Sequence, residues 1–156
     1  MKLLKKQTPY LVLLLALIIL DQITKSVTEN WLGYRNSYEV IENFFWIYIL
    51  HNTGGAWSLF SGMSGLFMIV PPLAFAFMLY FYLKSDEKRI LFRSALIFLM
   101  AGTLGNYIDR VMVGYVRDFL PFNILGYMFP VFNVADISLN IGVGLFILET
   151  LLEGKK

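Results

Sequence analysis

Cysteine is absent from this chain of 156 residues, which removes disulfides and thiolate chemistry together. Histidine occurs once, as His51, and that excludes HExxH metalloproteases and every site built on two imidazoles. No other metal ligand set stands out, and no cofactor motif is present, so neither a metal nor a cofactor is expected. Charge is scarce as well. Asp, Glu, Lys and Arg make up 15% of the residues, whereas soluble domains carry roughly 25%. The 13 basic and 11 acidic residues nearly cancel. No basic run is dense enough for a nucleic-acid surface, so no nucleic-acid partner is expected. An internal repeat is also missing, which weakens an inverted-repeat transporter. What is abundant is apolar surface: 58% of the residues are hydrophobic, more than one small core can hide, and lipid is the implied solvent.

Four apolar stretches, about residues 9–28, 66–83, 90–108 and 129–152, each approach the roughly 20 residues a helix needs to cross a bilayer core. Backbone groups find no partners in lipid, so all four are expected to be helices. Pro71 and Pro72 should kink the second or mark an irregular start. Lys2, Lys5 and Lys6 before Tyr10–Leu20 look like a secretory signal, but no small-x-small cleavage site follows. An uncleaved signal-anchor helix is the expectation. Lys84, Lys88, Arg89, Arg93, Lys155 and Lys156 join the N-terminal lysines on one side of the membrane, leaving Lys25, Arg35, Arg110 and Arg117 on the other. The positive-inside rule then puts both termini in the cytoplasm. Residues 38–50 are rich in β-branched and aromatic types and read as one or two strands, within a β-rich extracytoplasmic segment of about residues 33–62. The expected architecture is an all-α membrane protein, a single unit of four transmembrane helices with that small β-rich segment resting on the membrane surface.

In so apolar a chain, polar groups at membrane depth are costly and informative. Asn133, Asp136 and Asn140 recur at helical spacing, as do Asn106, Asp109 and Arg110. Asp21 and Lys25 are four apart and can pair. Asp109 beside Arg110 reads as a structural charge pair, His51 as a loop residue, and Arg117 as a loop charge. Asp136 stands apart, because no lysine or arginine lies within a helical turn of it. An isolated buried carboxylate tends to take up a proton. Beside an ionised carboxylate such a group forms an acid–base pair that can cleave a peptide bond, with one proton retained because two like charges at about 4 Å repel by roughly 4 kcal/mol. Placed about seven residues into its stretch, roughly 10 Å at 1.5 Å per residue, Asp136 should lie near the outer hydrocarbon boundary. Which carboxylate would pair with it stays open at this point. So do a proton-coupled carrier using Asp136 as a relay and a membrane scaffold without catalysis. A rhomboid-type serine protease is disfavoured, since no Gly-x-Ser-x-Gly element accompanies His51.

Five short motifs occur in order: Asp21-Gln22-Ile23-Thr24-Lys25, Asn52-Thr53-Gly54-Gly55-Ala56-Trp57, Gly105-Asn106-Tyr107-Ile108-Asp109-Arg110, Val116-Arg117-Asp118-Phe119 and Phe132-Asn133-Val134-Ala135-Asp136. Together they resemble bacterial lipoprotein signal peptidase (signal peptidase II). The resemblance implies an aspartic endopeptidase of the bacterial cytoplasmic membrane, with its site near the outer face. Its substrates are prolipoproteins bearing diacylglycerol on a cysteine, cut on the N-terminal side of that cysteine, and it works among membrane lipid. By the family's motifs Asp118 and Asp136 match the catalytic dyad. Asn52, Asn106, Arg110 and Asn133 match positions that surround the dyad and hold substrate, and Asp21, Lys25 and Asp109 fall at structural polar positions. Two residues depart from the usual pattern: Gly55 where alanine is common, and Arg117 where valine is common.

Overall fold

The computed structural model describes residues 2–54 and 64–153. Gly55, Ala56 and Trp57, the end of the expected β-rich segment, and Lys155 and Lys156 lie outside the described residues. The elements are α1 (Lys2–Leu32), β1 (Ser37–Ile41), β2 (Phe45–Tyr48), β3 (Leu50–Asn52), α2 (Ser64–Lys84), α3 (Ile90–Met112), β4 (Val116–Asp118), β5 (Leu120–Ile124), β6 (Tyr127–Phe132) and α4 (Val134–Glu153). All four helices are long and apolar enough to cross a membrane. Pro71 and Pro72 lie inside α2, which is helical from Ser64 onward rather than opening irregularly.

The helices are not equivalent. In α3, 44% of the spanning window is buried inside the protein, against 6–17% in the other three. Helix α3 is therefore the central post, and α1, α2 and α4 turn most of their apolar surface outward, as a lipid solvent permits. The approach of α1 and α4 to α3 is close where glycine removes a side chain. A Cβ on Gly105 would lie 2.6 Å from Asp21 Oδ2 and 3.0 Å from Ala135 Cβ, so only glycine fits there.

At one end the chain forms two small sheets. The larger runs β1-β2-β5-β6, antiparallel throughout, and β3 with β4 makes the second. Residues 38–50 thus form three strands rather than one or two, because the chain leaves the first sheet after Tyr48 and pairs with β4 from Leu50 onward. The fourth apolar stretch divides: its first residues, 129–132, complete strand β6 (Tyr127–Phe132), and the helix begins at Val134. A short apolar run cannot be told from buried helix by composition. The boundary is marked instead by Asn133, whose side chain caps α4. Helix α3 continues to Met112, so Asp109 and Arg110 belong to its last turns rather than to a loop.

At the other end Arg93 of α3 is buried at 3% exposure. Its guanidinium lies 4.9 Å from the Tyr10 ring centroid and 4.5 Å from that of Tyr82, and it donates to Gln7 Oε1. Tyr82 donates to the same oxygen at 2.6 Å. This knot ties α1, α2 and α3 together.

Candidate active site

The polar groups scattered over three helices and two strands converge at the sheet end of α3. Asn133 and Asp136 form a reciprocal cap on α4. The Asp136 N–H donates to Asn133 Oδ1 at 3.0 Å, and the Asn133 N–H donates to Asp136 Oδ2 at 3.1 Å. This is the capping-box arrangement with Asn and Asp in its two positions. Asp136 is thus the third residue of α4, in the first turn, where the helix dipole favours negative charge. It does not sit about seven residues inside a span, as the unbroken apolar stretch suggests. Its other oxygen accepts Asn106 Nδ2 at 2.8 Å.

Asp118 closes β4 and is 2% exposed. Asn52 Nδ2 donates to Oδ2 at 2.8 Å and Asn133 Nδ2 to Oδ1 at 2.6 Å. Asn133 therefore binds both carboxylates, one through its backbone and one through its side chain. Its amide orientation follows from the network: the oxygen is occupied by the Asp136 N–H, so the NH₂ group must face Asp118. Burial, and then the charge of Asp136, push the Asp118 carboxyl up to about 7, against the pull of the Asn52 and Asn133 hydrogen bonds.

Behind the asparagines lies a layer of fully buried charge. Lys25 Nζ donates to Asp21 Oδ2 at 2.8 Å and to Asn106 Oδ1 at 3.0 Å, and lies 3.5 Å from Asp109 Oδ2. Because Asn106 Oδ1 also accepts Asn133 Nδ2 at 3.1 Å, Lys25 locks the Asn106 amide with its NH₂ toward Asp136. Asp21 Oδ1 accepts the Ala135 N–H at 2.8 Å, which fastens the start of α4 to α1. The expected Asp21–Lys25 pair is present. The expected Asp109–Arg110 pair is not. Asp109 instead holds Arg117, at 2.6 Å to Nη2 and 2.9 Å to the backbone N–H. Arg117 is neither solvated nor directed at Asp118, since successive strand residues point to opposite faces. It is buried, and Ser26 and Gln22 accept its remaining donors at 3.0 and 3.3 Å.

Arg110 leans over the Phe67 ring of α2 at 4.5 Å and donates to the Asn106 carbonyl at 3.3 Å. With Thr53, Phe67, Met68 and Gly114 it lines a cavity of about 190 Å³. Asn140 shares a helix with Asp136 but only donates back to its carbonyl, on an exposed surface. His51 is a strand residue rather than a loop residue. Sequence reasoning missed Gln22, which donates to the Gly105 carbonyl at 3.0 Å and to Asp109 at 3.3 Å. Its place beside Asp21 in an apolar helix was the available signal. Among the described residues no cluster of three or more His, Asp or Glu is placed to hold a metal.

Known proteins are similar to this chain in sequence and in fold. The family model described as signal peptidase (SPase) II matches residues 13–152. The lipoprotein signal peptidase of Staphylococcus haemolyticus is 43% identical over 143 residues, 92% of this chain and 90% of the relative. That of Staphylococcus carnosus is 40% identical over 142 residues, 91% and 89% of the two chains. A bacterial membrane enzyme solved by the in meso method at 2.3 Å superposes with a TM-score of 0.88 at 37% identity, covering 94% of this chain and 90% of the other. A second, solved by the same method at 1.9 Å, gives 0.84 at 38% identity, with 92% and 93% covered. A chain matched over nearly its whole length in sequence and in fold, with four membrane-crossing helices, belongs to the signal peptidase II family of membrane proteases.

Proposed function

We propose that this protease is an aspartic endopeptidase that removes the signal peptide from diacylglyceryl-modified prolipoproteins, cutting on the N-terminal side of the lipidated cysteine. The observation that carries the reading is Asn133, bonded to both Asp118 and Asp136. One asparagine thereby holds two carboxylates close enough for Asp118 to feel the charge of Asp136. With one proton shared between them, the ionised carboxylate takes a proton from water as its oxygen attacks the scissile carbonyl carbon. The protonated partner gives its proton to the carbonyl oxygen. Collapse of the tetrahedral diol breaks the C–N bond, and the leaving amine takes up a proton from the dyad. Which aspartate holds the shared proton is a property of the pair. Asn52, Asn106 and Asn133 keep the carboxylates in place, while Arg110 borders the cavity against α2 and is offered to the substrate backbone. Lys25, Asp21 and Asp109 hold the frame.

The substrate assignment rests on the relatives' names and on depth. The dyad sits where helices give way to sheets, and a lipid-anchored cysteine would hold its scissile bond at such a boundary. The cationic residues Lys84, Lys88 and Arg89 gather at the opposite end of the helices. That asymmetry supports cytoplasmic termini and an outward-facing site in a bacterial cytoplasmic membrane.

The deciding experiment presents the purified protein with a prolipoprotein that has or lacks the diacylglyceryl group. Only the lipidated form should be cleaved, and equal cleavage of both would overturn the substrate assignment. Turnover should persist in a chelator, since the proposed chemistry uses carboxylates alone. Loss on chelation with recovery on added metal would contradict it.

A further inference from the structure

Strand β3 is three residues long and, among the described residues, pairs only with the three residues of β4. Two-stranded ribbons of this size are marginal by themselves. Yet its register decides the site. Leu50 lies opposite Asp118, His51 opposite Arg117 and Asn52 opposite Val116, which lets Asn52 reach Asp118 Oδ2. A slip by one residue would turn Asn52 to the other face. Something besides the ladder must hold β3.

The neighbouring residue is built into a clamp. The His51 ring is stacked between Tyr34, at 4.1 Å and 13°, and Tyr115, at 3.7 Å and 19°. Its Nε2–H donates to Glu29 Oε1 at 2.7 Å. Glu29 also lies 3.6 Å from Arg117 Nη1. The imidazole thus joins α1, the turn after it, β3 and the segment entering β4. The charged and titratable groups facing it are Glu29, Arg117, Tyr34 and Tyr115, and none of them belongs to the proposed dyad.

We propose that His51 is a positioning residue: clamped by Tyr34, Tyr115 and Glu29, it fixes the register of β3 so that Asn52 meets Asp118. The inference rests on the reading of Asp118 as half of a catalytic dyad. Losing the clamp frees Asn52 from Asp118 and leaves the fold of the four helices intact.

The test compares His51→Ala, His51→Phe, Asn52→Ala and the double variant on a lipidated precursor, with kcat/KM read across pH and thermal midpoint read beside it. His51→Ala should lower kcat/KM by about 100-fold, the order expected when a catalytic neighbour is displaced by about 1 Å. The Asn52 hydrogen bond opposes the upward shift of Asp118, so its loss should move the alkaline limb of the profile to higher pH. His51→Phe, which keeps the stacked ring, should recover most of the activity. His51→Ala should add almost nothing on the Asn52→Ala background, because both act through one contact. Additive losses, or an unmoved alkaline limb in an impaired His51→Ala, would overturn the proposal and leave a purely structural histidine. Asp118→Asn serves as the separate control. If that variant turns over normally the dyad reading itself fails, whereas an inactive Asp118→Asn beside a normal His51→Ala removes only the positioning role.

Discussion

Lys25 and Arg93 are both cations buried within the helices, and the protein neutralises them by opposite means. Lys25 meets two carboxylates and an asparagine oxygen. Arg93 meets two tyrosine faces and a glutamine, with no carboxylate in ion-pair range among the described residues, and its Nε is left without a partner. Aromatic faces satisfy a cation without directing any other group. An amide, by contrast, has a fixed donor side and acceptor side, and an ionised carboxylate only accepts, so a cation placed among them orients its neighbours. The sheet end therefore spends its buried charge on orienting Asn106 and, through it, Asp136. The opposite end uses its charge to lock α1, α2 and α3. Buried cations of similar cost serve geometry in one place and cohesion in the other.

The comparison breaks most plainly at the proposed dyad. Asp118→Asn and Asp136→Asn should each lower turnover of a lipidated precursor by about 10⁴-fold, as expected for loss of acid–base catalysis, while the protein still inserts. Near-normal turnover of either would remove that residue from the chemistry. Next in size is Lys25→Met, which strands Asp21 without its cation and leaves Asp109 to Arg117. A cost of about 3–5 kcal/mol is expected from breaking a buried ion pair on one side, readable as a lowered thermal midpoint in detergent. Turnover should fall further than that destabilisation explains, because the Asn106 amide is no longer held. Arg93→Met sharpens the contrast. Its two cation–π contacts suggest about 1–3 kcal/mol of lost stability, yet kcat/KM at a temperature where the variant is folded should stay within about threefold. A large kinetic defect there would erase the division between the two ends.

The smallest effect is one of pH. The Asp118 carboxyl, raised to about 7 by burial and by Asp136, folds more favourably protonated than ionised. Its contribution to stability is complete below the ordinary carboxylate range and is lost as pH rises through about 7. The thermal midpoint of Asp118→Asn relative to the parent should therefore improve between about pH 5 and about pH 8. A constant difference would show that Asp118 is ionised throughout. The parent's activity should decline above about pH 7 as the shared proton leaves.

Much of this site was visible in the chain. Asp136 and Asn133 declare themselves as polar groups in an apolar stretch, and Asp21 with Lys25 announces a pair by spacing alone. Asp118 did not. It reads as a loop acid until the family pattern joins it to Asp136, because what buries it is the pairing of β4 with β3, a contact 66 residues apart in the chain. Arg117, read as a loop charge, is buried for a related reason: strand geometry turns it away from Asp118, and Asp109 takes the arginine. The end of β6, Phe129–Phe132, passed for helix because apolar composition does not distinguish the two over four residues.

Composition and spacing by themselves determined a lipid-dissolved bundle of four helices and the kind of chemistry available to a chain with no cysteine and one histidine. These follow from transfer free energies and residue inventory, which are local properties. Only the tertiary structure decided which acid meets which donor. Asp136 became a helix cap, Asp109 the partner of Arg117 rather than of Arg110, and His51 the wedge between two tyrosines. Hydrogen bonds and ion pairs act over a few ångströms, and here the chain brings together groups more than 100 residues apart. Such contacts exist only once α1, α3 and α4 have packed.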